Sequence, residues 1–146
     1  MQYPIVAPVV ALVAWSMVMM IWLYAARFPA MARKGISLKG RVGSKGGDLD
    51  GVVEPRAQWK AHNYNHLMEQ PTLFYAICFA LALLGGGAVW INVWLAWAYV
   101  AFRICHSLVQ ATVNVVLWRF LFFIAASLCL LGLTIHAAAR VLHDIF

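Results

Sequence analysis

Several polar residues sit inside otherwise apolar runs, and their types and spacing could do chemistry. In "HNYNHLMEQP", His62, Asn65 or His66, and Glu69 are spaced i, i+3 or i+4, i+7, which is one stripe of a helix. Arg103, His106 and Gln110 repeat that spacing in the third apolar run, Arg119 opens the fourth, and Arg27 closes the first. A charged side chain at the centre of a membrane helix costs about 2.5–3.5 kcal/mol, so such groups should face inward, paired or hydrated. Together they would form a polar binding cavity. The His62–His66 pair, with Glu69 one turn on, also has the spacing of a metal pair. Five histidines in all are too few for the multi-histidine arrays of membrane di-iron enzymes, so no metal is expected.

The elements that must position these residues follow from composition. Of 146 residues, 64% are hydrophobic and 11% charged, against roughly 25% charged in ordinary soluble domains. A chain of this size cannot hide so much apolar surface in its own core, and the surplus is expected to face lipid. Hydropathy gives four spans, at about residues 5–26, 59–84, 88–111 and 117–142, each near the ~20 residues that cross the hydrocarbon. Backbone groups in lipid must bond within their own segment, so the expectation is an all-α membrane protein, a bundle of four transmembrane helices in one domain, residues 1–146. The last two spans are separated only by "QATVNVV", a weak turn signal. Pro71 removes one backbone hydrogen bond and crowds the carbonyl of Leu67, which predicts a kink just beyond Glu69.

Between the first two spans, residues 27–58 form a glycine-rich basic loop. With Lys60 just after it, this region holds eight of the eleven basic residues. The net charge of +6 is therefore concentrated in one place, which argues for orientation in a membrane rather than for binding nucleic acid. The positive-inside rule puts this loop in the cytoplasm, with both termini and Gly85–Gly87 on the opposite side. "GRVGSK" lacks the glycine spacing of a phosphate-binding loop, and a flexible basic loop near anionic headgroups is the simpler reading. Cys78, Cys105 and Cys129 lie in apolar runs and read as buried free thiols. Trp15, Trp22, Trp90, Trp94 and Trp97 read as interfacial anchors and lipid-facing bulk. The N-terminus has no basic region before its apolar run and reads as a retained anchor.

This topology places the polar residues at one level. At 1.5 Å per residue, Glu69 lies roughly 15 Å from the cytoplasmic face, Arg103 about 12 Å and His106 about 8 Å. Arg119 and Arg27 lie close to the same face. Four helices thus deliver polar side chains to the cytoplasmic half of the bilayer, and a pairing of Glu69 with Arg103 is expected.

Four spans, a basic loop after the first, "N-x-x-H-x-x-E-x-P-x-L-F-Y" in the second and "RICHS" in the third resemble the MAPEG family over essentially the whole chain. These are membrane-associated proteins of eicosanoid and glutathione metabolism, and the motif is closest to a bacterial branch. The resemblance implies a homotrimer in a bacterial inner membrane, with glutathione as co-substrate bound between protomers on the cytoplasmic side. It implies a glutathione-dependent transferase or peroxidase acting on a lipophilic small molecule. Arg119 falls at the position of the arginine that stabilises the thiolate. Glu69 falls at the carboxylate that holds the peptide ammonium, and Arg27 at an arginine that contacts a glutathione carboxylate. His62, Asn65, His66, Arg103, His106 and Gln110 complete the implied ligand set. The chain departs from the synthase branch at Phe120 and Phe123, where that branch has Ser and Tyr, at Gln110 for Tyr, at His66 for Asn and at His62 for Arg. Those departures keep open a non-catalytic alternative, a membrane scaffold or lipid-binding subunit of a larger complex.

Overall fold

The computed structural model describes residues 3–40 and 42–145, without the side chains of 144 and 145. The described residues form five α-helices and one short 3-10 turn. These are α1 (Val6–Arg33), the turn (Gly46–Leu49), α2 (Pro55–Leu67), α3 (Gln70–Leu83), α4 (Trp90–Thr112) and α5 (Val116–Ile145). By length and composition, α1 and α5 are each apolar enough to cross a membrane. Helix α4 packs against α5, α2 and α1, and α3 packs against α5 and α1.

Each helix turns one regular stripe inward. On α1 the positions buried in the bundle include Val9, Leu12, Ser16, Met19 and Leu23, following Ile5 just ahead of the helix. On α4 they include Asn92, Ala96, Tyr99, Arg103, His106 and Gln110, spaced by three or four, with Val100, Ser107 and Ala111 beside them. That stripe changes character along its length, from apolar in the middle of the bundle to cationic and polar at the end near Thr112. Phe74 of α3 stacks on Tyr99 with ring centroids 4.2 Å apart. Lipid is as apolar as these side chains, so close packing and interhelical hydrogen bonds, rather than exclusion of water, must hold them together. Gly132 of α5 serves that packing: a Cβ there would meet Leu95 Cδ1 at 3.2 Å.

The run 59–84, expected as one kinked helix, is two helices that break at Met68–Glu69. Pro71 has no N–H to offer the Leu67 carbonyl, so α2 ends there and Pro71 falls in the first turn of α3, where a missing donor is harmless. Helix α3 stops at Leu83 in a glycine-capped turn. Gly85 takes φ 71°, and the Gly86 N–H bonds back to the Leu81 carbonyl at 2.8 Å.

The basic loop is more ordered than its glycine content suggests. Helix α1 runs past Pro29 to Arg33 because Ala30 and Met31 pack on Leu49, Val53 and Ala57, a small core separate from that of the bundle. The Asp48 carboxylate accepts the Lys45 N–H at 2.8 Å and closes the 3-10 turn. Two single-residue readings are corrected. Cys105 is exposed while Cys78 and Cys129 are buried. Trp15 is half-buried against the core and donates Nε1–H to Ser107 Oγ at 3.0 Å, so it is a helix-to-helix contact rather than lipid-facing bulk.

Candidate functional site

The break at Met68–Glu69 leaves carbonyls in the last turn of α2 without helical partners, as every helix end does. One is taken by Arg103: its Nη2 donates to the His66 carbonyl at 2.9 Å from a side chain that is 0% exposed. A guanidinium at a helix C-terminus is favoured by the partial negative charge there. Arg103 Nη1 also lies 3.5 Å from His66 Nε2, and the ring's other nitrogen, Nδ1, is 2.7 Å from Glu69 Oε2. Arginine stays protonated, so Nε2 must be the acceptor and Nδ1 the donor to the carboxylate. His66 thus bridges Glu69 and Arg103. The direct Glu69–Arg103 pair expected from the sequence is absent among the described residues, because the break turns Glu69 outward, leaving its side chain 67% exposed.

The imidazole of His106 lies 4.9 Å from that of His66, centroid to centroid. Its Nδ1 donates to the Arg119 carbonyl at 2.8 Å, which ties α4 to the first turn of α5. Nε2 lies 3.1 Å from the amide of buried Gln110, whose NH2 can donate to it once the amide is turned, an orientation set by the network. Arg119 donates from Nη1 to Asn114 Oδ1 at 2.7 Å, and its buried Nε has no partner among the described residues. Asn114 itself has φ 55° and closes α4 with its N–H on the Val109 carbonyl at 2.7 Å. His66, His106, Val116, Arg119, Phe120 and Phe123 line a pocket of about 230 Å³. Its cation and two imidazoles face two phenyl rings, an arrangement able to hold an anion beside an apolar group.

The other expected residues lie elsewhere. Arg27 Nη2 donates to Gln58 Oε1 at 3.1 Å, and the Gln58 amide donates to Asp50 Oδ1 at 2.6 Å. His62 Nε2 meets the same oxygen at 3.0 Å. These four groups bind the 3-10 turn to α1 and α2 and, within one chain, are not part of the pocket beside Arg119. The Gln58 hydrogen bond first, and then His62, hold the Asp50 carboxyl below the usual carboxylate range. Asn65 is exposed on α2.

Sequence reasoning gave no role to Ser107 and Gln70, and took Asn63 only as the first residue of the second-span motif and Asn114 only as part of a weak turn. Asn63 is 0% exposed and donates to Ser107 Oγ at 2.6 Å, and Gln70 links Tyr99 to Ser127 across three helices. Asn63 stands beside the stripe that was read and Ser107 directly follows His106. Only their neighbours in space, not their spacing, mark them.

No curated protein and no solved structure matches the chain. The model of the MAPEG family matches residues 5–139, from the buried Ile5 to the last turns of α5. Coverage on that scale makes the chain a member of the MAPEG family and, with two helices apolar enough to cross a bilayer, an integral membrane protein.

Proposed function

We propose that the protein is a glutathione-dependent transferase or peroxidase acting on a lipophilic substrate, with Arg119 stabilising the glutathione thiolate. The observation that carries this reading is the pocket in which Arg119 shares a wall with His66, His106, Phe120 and Phe123. A free thiol titrates near 8.5, and a cation beside it favours the nucleophilic anion by about 1.4 kcal/mol per unit of pKa lowering. In conjugation the sulfur would form a bond to the electrophilic carbon, the leaving group would depart with its electron pair, and the thiol proton would pass to water. The two phenyl rings would hold the lipophilic partner.

The site is proposed to lie between protomers of a homotrimer. A pocket of about 230 Å³ is smaller than the roughly 300–1,000 Å³ of small-molecule sites, which supports completion by a neighbouring chain. In that arrangement the exposed Glu69 would take the peptide ammonium. Arg27, with His62 and Asn65, would reach a neighbour's ligand rather than its own. The basic loop is proposed to be cytoplasmic in a bacterial inner membrane, and the turn at Asn114 that opens α5 would lie on the same side.

Purified protein tests the reading. Millimolar glutathione should raise its melting temperature, and it should conjugate 1-chloro-2,4-dinitrobenzene, with Arg119→Ala lowering turnover about a hundredfold, the scale of losing one preorganised donor. Absence of any thermal response to glutathione would overturn the proposal. Stabilisation without turnover of that electrophile or of a hydroperoxide would assign a binding protein instead.

A further inference from the structure

A larger cavity lies at the opposite end of the bundle, where the first turn of α4 meets the last turns of α5. It measures about 580 Å³, more than twice the volume beside Arg119 and within the range of small-molecule sites. Val89, Ile91 and Ala139 give it apolar sides, and its polar lining is Asn92, His136, Arg140 and His143. Among the described residues no carboxylate lines it.

The hydrogen bonds fix what these groups can offer. Asn92 donates Nδ2–H to the Gly86 carbonyl at 3.0 Å, so its Oδ1 must be the acceptor facing His136 Nδ1 at 2.6 Å. The proton of a neutral His136 therefore sits on Nδ1. Nε2, without a partner among the described residues, is left to meet a ligand, donating if the ring gains a second proton. Arg140, one helical turn further on the same face, has no carboxylate or carbonyl partner among the described residues. Its Nη1 lies 3.9 Å from where a Cβ on Gly85 would stand. A guanidinium and an imidazole thus converge on an opening with no counter-charge among the described residues, at the end of a chain whose other cations mostly crowd the opposite end.

The surroundings say what kind of anion fits. Leu128, Leu131, Ile135 and Ala139 are spaced by three, four and four, forming one stripe of α5 that leads into the cavity at Ala139. The first three are 62%, 54% and 56% exposed. The stripe is roughly 16 Å long at 1.5 Å per residue, about the depth of one leaflet's hydrocarbon. Trp90, beside the cavity at 70% exposed, stands where tryptophans mark the membrane–water interface. A soluble anion would use the cations but not the stripe.

We propose that this end of the bundle is a binding site for an anionic phospholipid. Its phosphate lies against Arg140 and His136, and an acyl chain runs down Leu128, Leu131 and Ile135. The site is independent of the glutathione reading and sits at the other end of the helices.

Native mass spectrometry of the full chain, extracted in a nonionic detergent and offered equal phosphatidylglycerol and phosphatidylcholine, tests it. The wild-type protein should retain phosphatidylglycerol with about tenfold preference, because phosphatidylcholine offers the same phosphate but adds a quaternary ammonium that the Arg140 guanidinium repels. Arg140→Gln should remove most of that preference, Arg140→Lys should keep it, and millimolar inorganic phosphate should not displace the lipid. Equal retention of the two lipids by the wild-type protein would overturn the proposal without recourse to any variant. Unchanged selectivity in Arg140→Gln would overturn it too. Full displacement by inorganic phosphate would make the cavity a soluble-anion site and equally refute the lipid assignment.

Discussion

Asn114 carries two roles that substitution can separate. Its φ of 55° closes α4, and its side-chain oxygen holds Arg119 Nη1 at 2.7 Å. Asn114→Gly keeps the left-handed turn at no steric cost and deletes the acceptor. Asn114→Ala deletes the same acceptor but keeps the Cβ that glycine removes, at a cost of about 1–2 kcal/mol in that conformation. The lost bond to a charged group is common to both and is worth about 1.5–3 kcal/mol at most, less to the extent that Arg119 finds water. The difference between the variants therefore isolates the backbone. For a chain of this size it should appear as an alanine variant melting about 2–8 °C below the glycine one in detergent. Their responses to glutathione should instead be equal, and both weaker than wild type, because each frees the same guanidinium. Equal melting temperatures would refute the assignment of the turn. A glycine variant with the wild-type glutathione response would show that Arg119 does not depend on Asn114 for its position.

Other consequences can be measured separately. In a double-mutant cycle read by thermal unfolding, Glu69→Gln should couple to His66→Asn by about 0.2–1 kcal/mol, as expected for an exposed pair, and less to Arg103→Gln. Gly87→Ala places a Cβ 3.0 Å from the Ala82 Cα and 3.2 Å from Ile5 Cγ2, and should cost about 1–3 kcal/mol in the same assay. Gly47→Ala, whose Cβ would meet only Asp50 Oδ2 at 4.0 Å, should not show such a clash. Asp50 is held below its unfolded-state pKa, so its contribution to anchoring the 3-10 turn is present above that unfolded value and lost as pH falls through the folded one. Hydrogen exchange over residues 44–53 should therefore quicken, relative to intrinsic rates, on acidification through that window, and Asp50→Asn should remove the pH dependence.

The helical architecture was legible because apolar runs near twenty residues leave the backbone few alternatives in lipid. The inward faces of α4 were legible for a related reason: Arg103, His106 and Gln110 are too polar to face acyl chains, and their spacing fits a single stripe. What the sequence did not disclose depends on contacts made after the helices pack. Pro71 signalled a disturbance, but whether it bends a helix or ends it depends on what satisfies the freed carbonyls, and that group, Arg103, is more than thirty residues away. The continuation of α1 past Pro29 rests on Leu49, Val53 and Ala57, which local propensity does not see. Asn114 gave only a weak turn signal because tolerance of the left-handed region is a property of one residue with no periodic signature. Arg27 and His62 stand apart from the pocket beside Arg119 within one chain, since a shared depth in a membrane fixes only one of three coordinates.

The same contacts distinguish the three arginines that composition alone treats as equivalent. Arg103 is fully buried and committed to the His66 carbonyl, closing a helix that Pro71 forces to end; removing it would leave that carbonyl without its donor before it affected any ligand. Arg27 is committed to Gln58 and, through it, to the loop. Arg119 is held at one nitrogen by Asn114 and lines a pocket with two phenyl rings, so part of its guanidinium remains for a partner the chain does not supply. A charge kept inside a membrane without a full set of protein partners is costly unless something else binds it. Arg27, Arg103 and Arg119 each keep a buried Nε without a partner among the described residues, so it is the opening onto a pocket, which Arg119 lines and Arg103 does not, that favours Arg119 for the proposed thiolate chemistry.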